Sequence, residues 1–231
     1  MLSCRGAGRI YQTGRGPVEA VRGIDLNVPA GGYAAVIGRS GSGKSTLMAM
    51  IGGLSRPTSG SITIGGTGIW SLSESEIARF RNQRIGFIFQ FASLLPNLRA
   101  IDNVALPSLL GRHSGNAGAY DKAARLLTEI GLGSYFDAYP SEMSAGEQRR
   151  TVIARALIND PVLLLADEPT SDLDEQTEIE IMALLLGINR ERGTTLLLVT
   201  HNLTLASEAG QIVQIADGTL VHDAALMRSA S

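Results

Sequence analysis

The stretch GRSGSGKS, Gly38 to Ser45, sets glycines, a lysine and a hydroxyl at the spacing G-x-x-x-x-G-K-[ST]. That pattern serves phosphate chemistry. Glycines let backbone N–H groups converge on phosphate oxygens, and a helix N-terminus directly after them adds the positive end of a dipole. Gly38, Arg39, Ser40, Gly41, Ser42 and Gly43 form such a cradle. Lys44 is a slim point charge that reaches the outer phosphates, where a planar guanidinium is bulkier. Its rarity supports a specific role: eighteen of the 20 basic residues are arginine, and only Lys44 and Lys122 are lysine. The Ser45 hydroxyl suits Mg²⁺, and Thr46 adds a phosphate contact.

A second run, LLLADE, is apolar until it ends in two acids. Asp167 stands where a metal-ligating carboxylate belongs, at the end of a buried strand. Glu168 is placed to orient or deprotonate an attacking water. A plainer reading makes both acids caps for the following turn, but beside the glycine loop they point to nucleoside triphosphate hydrolysis. A third run, SEMSAGEQRR, has Ser144 and Glu147 at capping-box spacing. The small residues between them, Ala145 and Gly146, leave a helix N-terminus open to an anion.

These residues need elements to hold them. YAAVIG (33–38), VLLLADE (162–168) and TTLLLVTH (194–201) are continuous apolar runs with polar or glycine ends, as buried parallel strands require. Helices are expected after the loop, stopping at Gly52–Gly53, and between residue 175 and a stop at Gly193. SGSITIGGTGI predicts an antiparallel pair turning at Gly65–Gly66, and QIVQIADGTLVH an edge hairpin turning at Asp217–Gly218. Ser73 and Glu76 form another capping box, and RIGFIFQ is strand-like. Residues 91–143 read as mostly helical, with YDKAARLLTEIGL the clearest segment and Gly131 its stop. The outcome is one α/β domain with a mainly helical insertion between about 75 and 145.

Composition agrees with such a domain: 231 residues, 44% hydrophobic and 18% charged, can bury a sizeable core. A net charge of −2 gives no field that gathers nucleic acid, so none is expected as a partner. One cysteine, Cys4, excludes an internal disulfide framework. No apolar run approaches the roughly 20 residues of a membrane span, and no signal peptide is evident. A cytoplasmic protein is expected, one that can still dock on a membrane protein.

With GRSGSGKST upstream and LLLADEPTSDLD downstream, MSAGEQRR (Met143 to Arg150) resembles the signature of ATP-binding cassette (ABC) ATPases. The resemblance runs from about residue 3 to 222. It assigns Tyr11 to adenine stacking, Gln90 to the Q-loop, Ser171, Asp172, Leu173 and Asp174 to the D-loop, and His201 to the switch position. It implies the ABC ATPase fold: a P-loop NTPase core with a mainly parallel sheet, an N-terminal antiparallel β subdomain, and a helical signature subdomain at about 91–154. It implies ATP with Mg²⁺ held by Ser45, Gln90 and Asp167, and catalysis by Glu168, His201 and Gln90. It also implies a homodimer in which each ATP lies between the loop of one subunit and Ser144, Ala145, Gly146 and Glu147 of the other. Ala145 replaces the usual first signature glycine, and its methyl group is expected to weaken that sandwich without abolishing it. Asp172 is unusual in a D-loop.

Within the family, IGGLSRPTSG, IGFIFQFASLLPNLRAIDNVALP and LLLADEPTSDLD look most like the ATPases of the lipoprotein-releasing and macrolide-exporter type. That implies peripheral attachment to the cytoplasmic face of a membrane through a separate permease. Its docking surface is expected near Gln90, Phe91, Leu94 and Leu95, and the cargo would be lipids, lipoproteins, peptides or drugs. Two other readings stay open: a cell-division-type regulator that signals without moving cargo, and a soluble ABC ATPase with no transport role.

Overall fold

The computed structural model of the chain describes residues 1–111 and 118–225. In order, its elements are β1 (Leu2–Thr13), β2 (Gly16–Val28), β3 (Tyr33–Ile37), α1 (Lys44–Ile51), β4 (Ser59–Ile64), β5 (Thr67–Gly68), α2 (Glu74–Arg84) and β6 (Ile85–Ile88). There follow α3 (Ala100–Leu110), α4 (Ala119–Glu129), α5 (Ala145–Leu157), β7 (Leu163–Asp167), α6 (Glu175–Arg192), β8 (Thr195–Val199), α7 (Leu203–Ser207), β9 (Gln211–Ala216) and β10 (Thr219–Ala225).

Two sheets form. The smaller, in the order β2-β1-β4-β5, is antiparallel throughout. The larger runs β10-β9-β3-β8-β7-β6; its neighbours are parallel except for the β9–β10 hairpin at one edge. The apolar runs become its centre for a geometric reason. Successive side chains in a strand point to opposite faces, and here both faces are covered. Val36, Leu163, Leu165, Leu197 and Val199 pack with α1 and with Leu26, Ile62 and Ile64 of the smaller sheet. Ala35, Leu164, Ala166, Leu196 and Leu198 face the other way, against Ile153 and Leu157 of α5 and Ile181 and Leu185 of α6. Each such Leu or Ile side chain, fully buried, contributes about 1.5–3 kcal/mol.

The hairpins expected at Gly65–Gly66 and Asp217–Gly218 are β4–β5 and β9–β10. The long β1–β2 pair, by contrast, has no clear period in the sequence. Register shifts after Cys4, Ala7 and Arg9 reverse which side chains face the core, so a strict alternation never builds up. The 91–143 stretch is less helical than its composition suggests; residues 112–117 of it lie outside the described residues. Among the described residues there, only α3 and α4 are α-helical. The loop before α3 is fixed instead by the fully buried Asn103 amide. Its oxygen accepts from the Leu95 N–H at 2.8 Å, and its nitrogen donates to the Leu95 and Leu98 carbonyls at 3.1 and 3.0 Å. An α2 expected at the start of the helical insertion leads directly into β6 of the large sheet, while α3, α4 and α5 share one core.

Candidate functional site

In the order β3-β8-β7-β6 four neighbouring strands run parallel, so their carboxyl ends meet at one edge. Register makes the alignment close: Val36 pairs with Val199, Asp167 with Val199, and Ala166 with Ile88. Ligand sites in open parallel sheets form at such an edge. Here the glycine loop follows β3, His201 follows β8, Asp167 ends β7 with Glu168 directly after it, and Gln90 follows β6. These meet around a cleft of about 410 Å³, lined also by Ser40, Gly41, Gly43, Lys44, Ser45 and Thr46.

The loop is shaped by close packing of its backbone. A Cβ at Gly38 would lie 2.3 Å from the Ile215 carbonyl, and one at Gly43 2.4 Å from the Ala20 carbonyl. Gly43 also has φ 107° and precedes α1, whose first turn carries neither a side-chain cap nor an acid. Its N–H groups are therefore left for a ligand. The Lys44 ammonium arches back over the loop, donating to the Gly38 and Arg39 carbonyls at 2.7 and 2.9 Å. Ser42 is buried, and its hydroxyl oxygen has no partner. Arg39 is exposed and is not among the residues lining the cleft.

Opposite the loop, the Ser45 hydroxyl donates to Asp167 Oδ2 at 3.3 Å. Desolvation, with the Glu168 charge adding to it, holds the Asp167 carboxyl above the usual carboxylate range; Ser45 and Lys44 pull the other way. A partly buried carboxylate of this kind is short of positive charge. Glu168 sits at φ 45°, a left-handed conformation that non-glycine residues rarely adopt and that clusters at functional sites. Its N–H donates to the Val199 carbonyl at 2.9 Å. Its carboxylate lies 2.8 Å from His201 Nδ1 and accepts from the Thr200 hydroxyl at 3.4 Å. In the sequence, Thr200 carries no signal beyond its place beside His201 at a strand end.

Other expected residues lie elsewhere. Ser144 caps α5, accepting from the Glu147 N–H at 3.3 Å, while the Glu147 carboxylate accepts from the Ser144 N–H at 2.7 Å. Ala145 is exposed on the first turn, and Gly146 lies against Thr177 of α6. None of these four lines the cleft. In the turn after Glu168, Ser171 and Asp172 are exposed, Leu173 packs on the core, and Asp174 caps α6 by accepting from the Thr177 N–H at 3.0 Å. Tyr11 does not line the cleft either. The Arg9 guanidinium lies 4.6 Å from its ring centroid, and its hydroxyl is 3.3 Å from Ser55 Oγ. Phe91 and Leu95 are exposed, while Leu94 packs onto the core.

Glu147 gives a direct pH prediction. Hydrogen bonding from the Tyr135 hydroxyl, then from the Ser144 N–H, holds its carboxyl below the usual range. A depressed folded pKa adds stability above the unfolded value of about 4.3 and loses it as pH falls through the folded value. Glu147→Ala is therefore expected to lower the melting temperature by about 2 °C at pH 7, a small effect because the group is only partly buried. The difference should close below about pH 4. Melting curves of both chains across pH 3–7 check this; a gap independent of pH contradicts it.

A family profile described as ABC transporter matches residues 21–171. The chain belongs to the ABC transporter family. The matched span of this ABC chain includes the glycine loop, Gln90, Ser144 to Glu147, Asp167 and Glu168. It is 46% identical over 214 residues to the lipoprotein-releasing system ATP-binding protein LolD of Geobacter metallireducens, covering 92% of this chain and 94% of LolD. It is 44% identical over 224 residues to the macrolide export ATP-binding/permease protein MacB of Rhodopirellula baltica. There the alignment covers 96% of this chain but only 33% of MacB. The dimeric, post-hydrolysis structure of the ATP-binding cassette MJ0796 bound to ADP and Pi superposes with a TM-score of 0.90 at 34% identity. That match covers 98% of this chain and 99% of the other. The ABC chain is thus an ATP-binding ATPase with the cassette fold.

Proposed function

We propose that this ATPase is the motor subunit of a membrane transporter, working as a dimer whose two ATP sites each need both chains. The observation that carries the dimer is the division of the motifs. One chain brings its glycine loop, Asp167, Glu168, His201 and Gln90 to a single cleft, and leaves Ser144 to Glu147 outside it. A capped helix N-terminus with exposed small residues then faces outward, suited to an anion held by another chain. The dimeric MJ0796 cassette supports the same reading.

In each site the loop N–H groups and Lys44 hold the triphosphate. Glu168 orients the attacking water and takes its proton, with His201 and Thr200 fixing the carboxylate. His201, 72% exposed at its side chain, remains open on its other edge toward the terminal phosphate. The Ser45, Asp167 and Gln90 oxygens are a hard donor set, and the desolvated Asp167 carboxylate fits a divalent cation such as Mg²⁺. Held there, such an ion would supply charge neutralisation to the transferred phosphoryl group. Tyr11 offers an aromatic face for the adenine, opposite the face that Arg9 covers. Gln90, exposed between the cleft and Phe91, links the site to a docking surface.

That surface is a larger hollow, about 1230 Å³, away from the phosphate loop. It is lined by Phe87, stacked on Phe89 at 5.3 Å, with Leu54 and Leu110, and by Arg79, Arg81 and Arg155. With Phe91 and Leu95 beside it, the hollow suits an amphipathic helix carrying acidic residues, supplied by a membrane permease. Among the described residues no helix is long and apolar enough to cross a membrane. By analogy with the LolD and MacB systems, we assign the membrane passage to a permease, with the ATPase domain at its cytoplasmic face. The resemblance to LolD and MacB points to lipoproteins or macrolides as cargo. Pull-down of the tagged chain from solubilised native membranes tests this. A polytopic membrane protein that co-purifies, and that is lost on Phe89→Glu, is expected; recovery of soluble partners alone contradicts it.

A further inference from the structure

Arg149 is the largest side chain buried to 1% exposure, yet it lies on the core-facing side of α5. Its guanidinium donates to the Phe89 carbonyl at 2.5 Å, the Gln90 carbonyl at 2.6 Å and Asp172 Oδ1 at 2.7 Å. Three separate segments meet on this one group: α5, the residues after β6 and the turn between β7 and α6. Asp172 is itself half-exposed, so the charge partner comes from a surface turn and reaches inward. That turn begins at Glu168, whose carbonyl accepts from the Ser171 N–H at 3.3 Å.

We infer that Arg149 and Asp172 are a positioning pair that sets Gln90 relative to Glu168 across the ATP cleft. The inference rests on the reading of that cleft as the hydrolytic site. A buried guanidinium tolerates little loss of its counter-charge, because two neutral carbonyls do not replace a carboxylate. Removing Asp172 therefore leaves Arg149 seeking another partner, and the Phe89 and Gln90 backbone shifts with it. Gln90 and Glu168 both line the cleft, whereas the nucleotide is gripped by the loop after β3, which the pair does not touch. The effect falls on turnover and spares nucleotide affinity. The same contact gives the hollow under Phe89 a mechanical route to the Glu168 turn, since a partner that moves Phe89 moves the carbonyl that Arg149 holds.

The test is steady-state ATPase with the full chain, as parent, Asp172→Ala, Asp172→Asn, Asp172→Glu, Arg149→Gln and Arg149→Gln/Asp172→Ala, with melting curves for each. Asp172→Ala, Asp172→Asn and Arg149→Gln should each lower kcat about tenfold while KM for ATP stays within about twofold. Asp172→Glu, which restores the charge on a half-exposed turn, should recover most of the parental kcat. The double variant should lose no more than either single one, since both break the same contact. A parental kcat in Asp172→Asn, multiplying losses in the double variant, or kcat and KM changing together overturns the pair. Should Asp172→Ala fail to fold, Asp172→Asn, nearly identical in shape, decides the matter. A parent chain whose ATPase survives Glu168→Gln would defeat the reading of the cleft itself. An active parent with indifferent Asp172 variants defeats only the positioning pair.

Discussion

Glu168→Gln is expected to bind ATP with near-parental affinity and to lose turnover by about 10²–10⁴-fold, the range for removing a general base. The structure argues for a clean effect. Glutamine keeps the shape of glutamate and a carbonyl oxygen, so the contact with His201 at 2.8 Å and that with Thr200 at 3.4 Å need not collapse. The left-handed backbone at this residue, φ 45°, is held by the N–H bond to Val199, which the substitution leaves intact. What disappears is the capacity to take a proton. ATP then stays unhydrolysed in the sandwich, and the dimer should accumulate. Phosphate release measured beside sedimentation in saturating ATP reads both effects. A chain that hydrolyses at the parental rate and stays monomeric contradicts this role.

Lys44→Ala is expected to do the reverse, weakening nucleotide binding about 10–100-fold, since a hydrogen bond to a charged group contributes about 1.5–3 kcal/mol. The lysine does two things. Its ammonium is proposed to meet phosphate, and it closes the loop on the Gly38 and Arg39 carbonyls. Alanine removes both the charge and the brace, and among the described residues no other lysine or arginine lines the cleft. Titration of each chain with a fluorescent ATP analogue checks the prediction. Equal affinity in the two would show that the backbone N–H groups alone hold the phosphates.

The opposite outcomes of these two substitutions follow from where the sequence is explicit. Gly38 to Thr46 and Asp167–Glu168 are legible because each motif sits at a strand end, and apolar runs announce the strands. That Asp167 and the loop come together across an intervening β8 is a matter of strand order, which local pattern does not encode. Gln90 and His201 have no chemical signal of their own; a polar residue after a strand is ordinary, and only family resemblance placed them in the cleft. Thr200 is hidden for the same reason. Arg149 does carry a signal in the sequence. It shares a helix face with Val152, Ile153 and Leu157 at spacings of three, four and eight, all buried. An arginine on an apolar stripe demands a charge partner, and Asp172, unusual in its turn, supplies it. Tyr11 shows the opposite limit: its type and position suggest stacking, yet one ring face is already covered by Arg9.

The central claim is that each ATP is held between two chains, and one mixing experiment tests it most directly. Lys44→Ala disables the loop side, and Ser144→Arg, which blocks the α5 N-terminus with bulk, disables the opposing side. At ATP near the parental KM, each alone is expected to show little activity. In a mixed dimer one site carries both lesions and the other carries neither, so activity should reappear on mixing. With random pairing it approaches about a quarter of the parental rate, one intact site in half of the two-fold dimers. A mixture no more active than the sum of its two components would mean that the ATP site is complete within one chain, and would contradict the account.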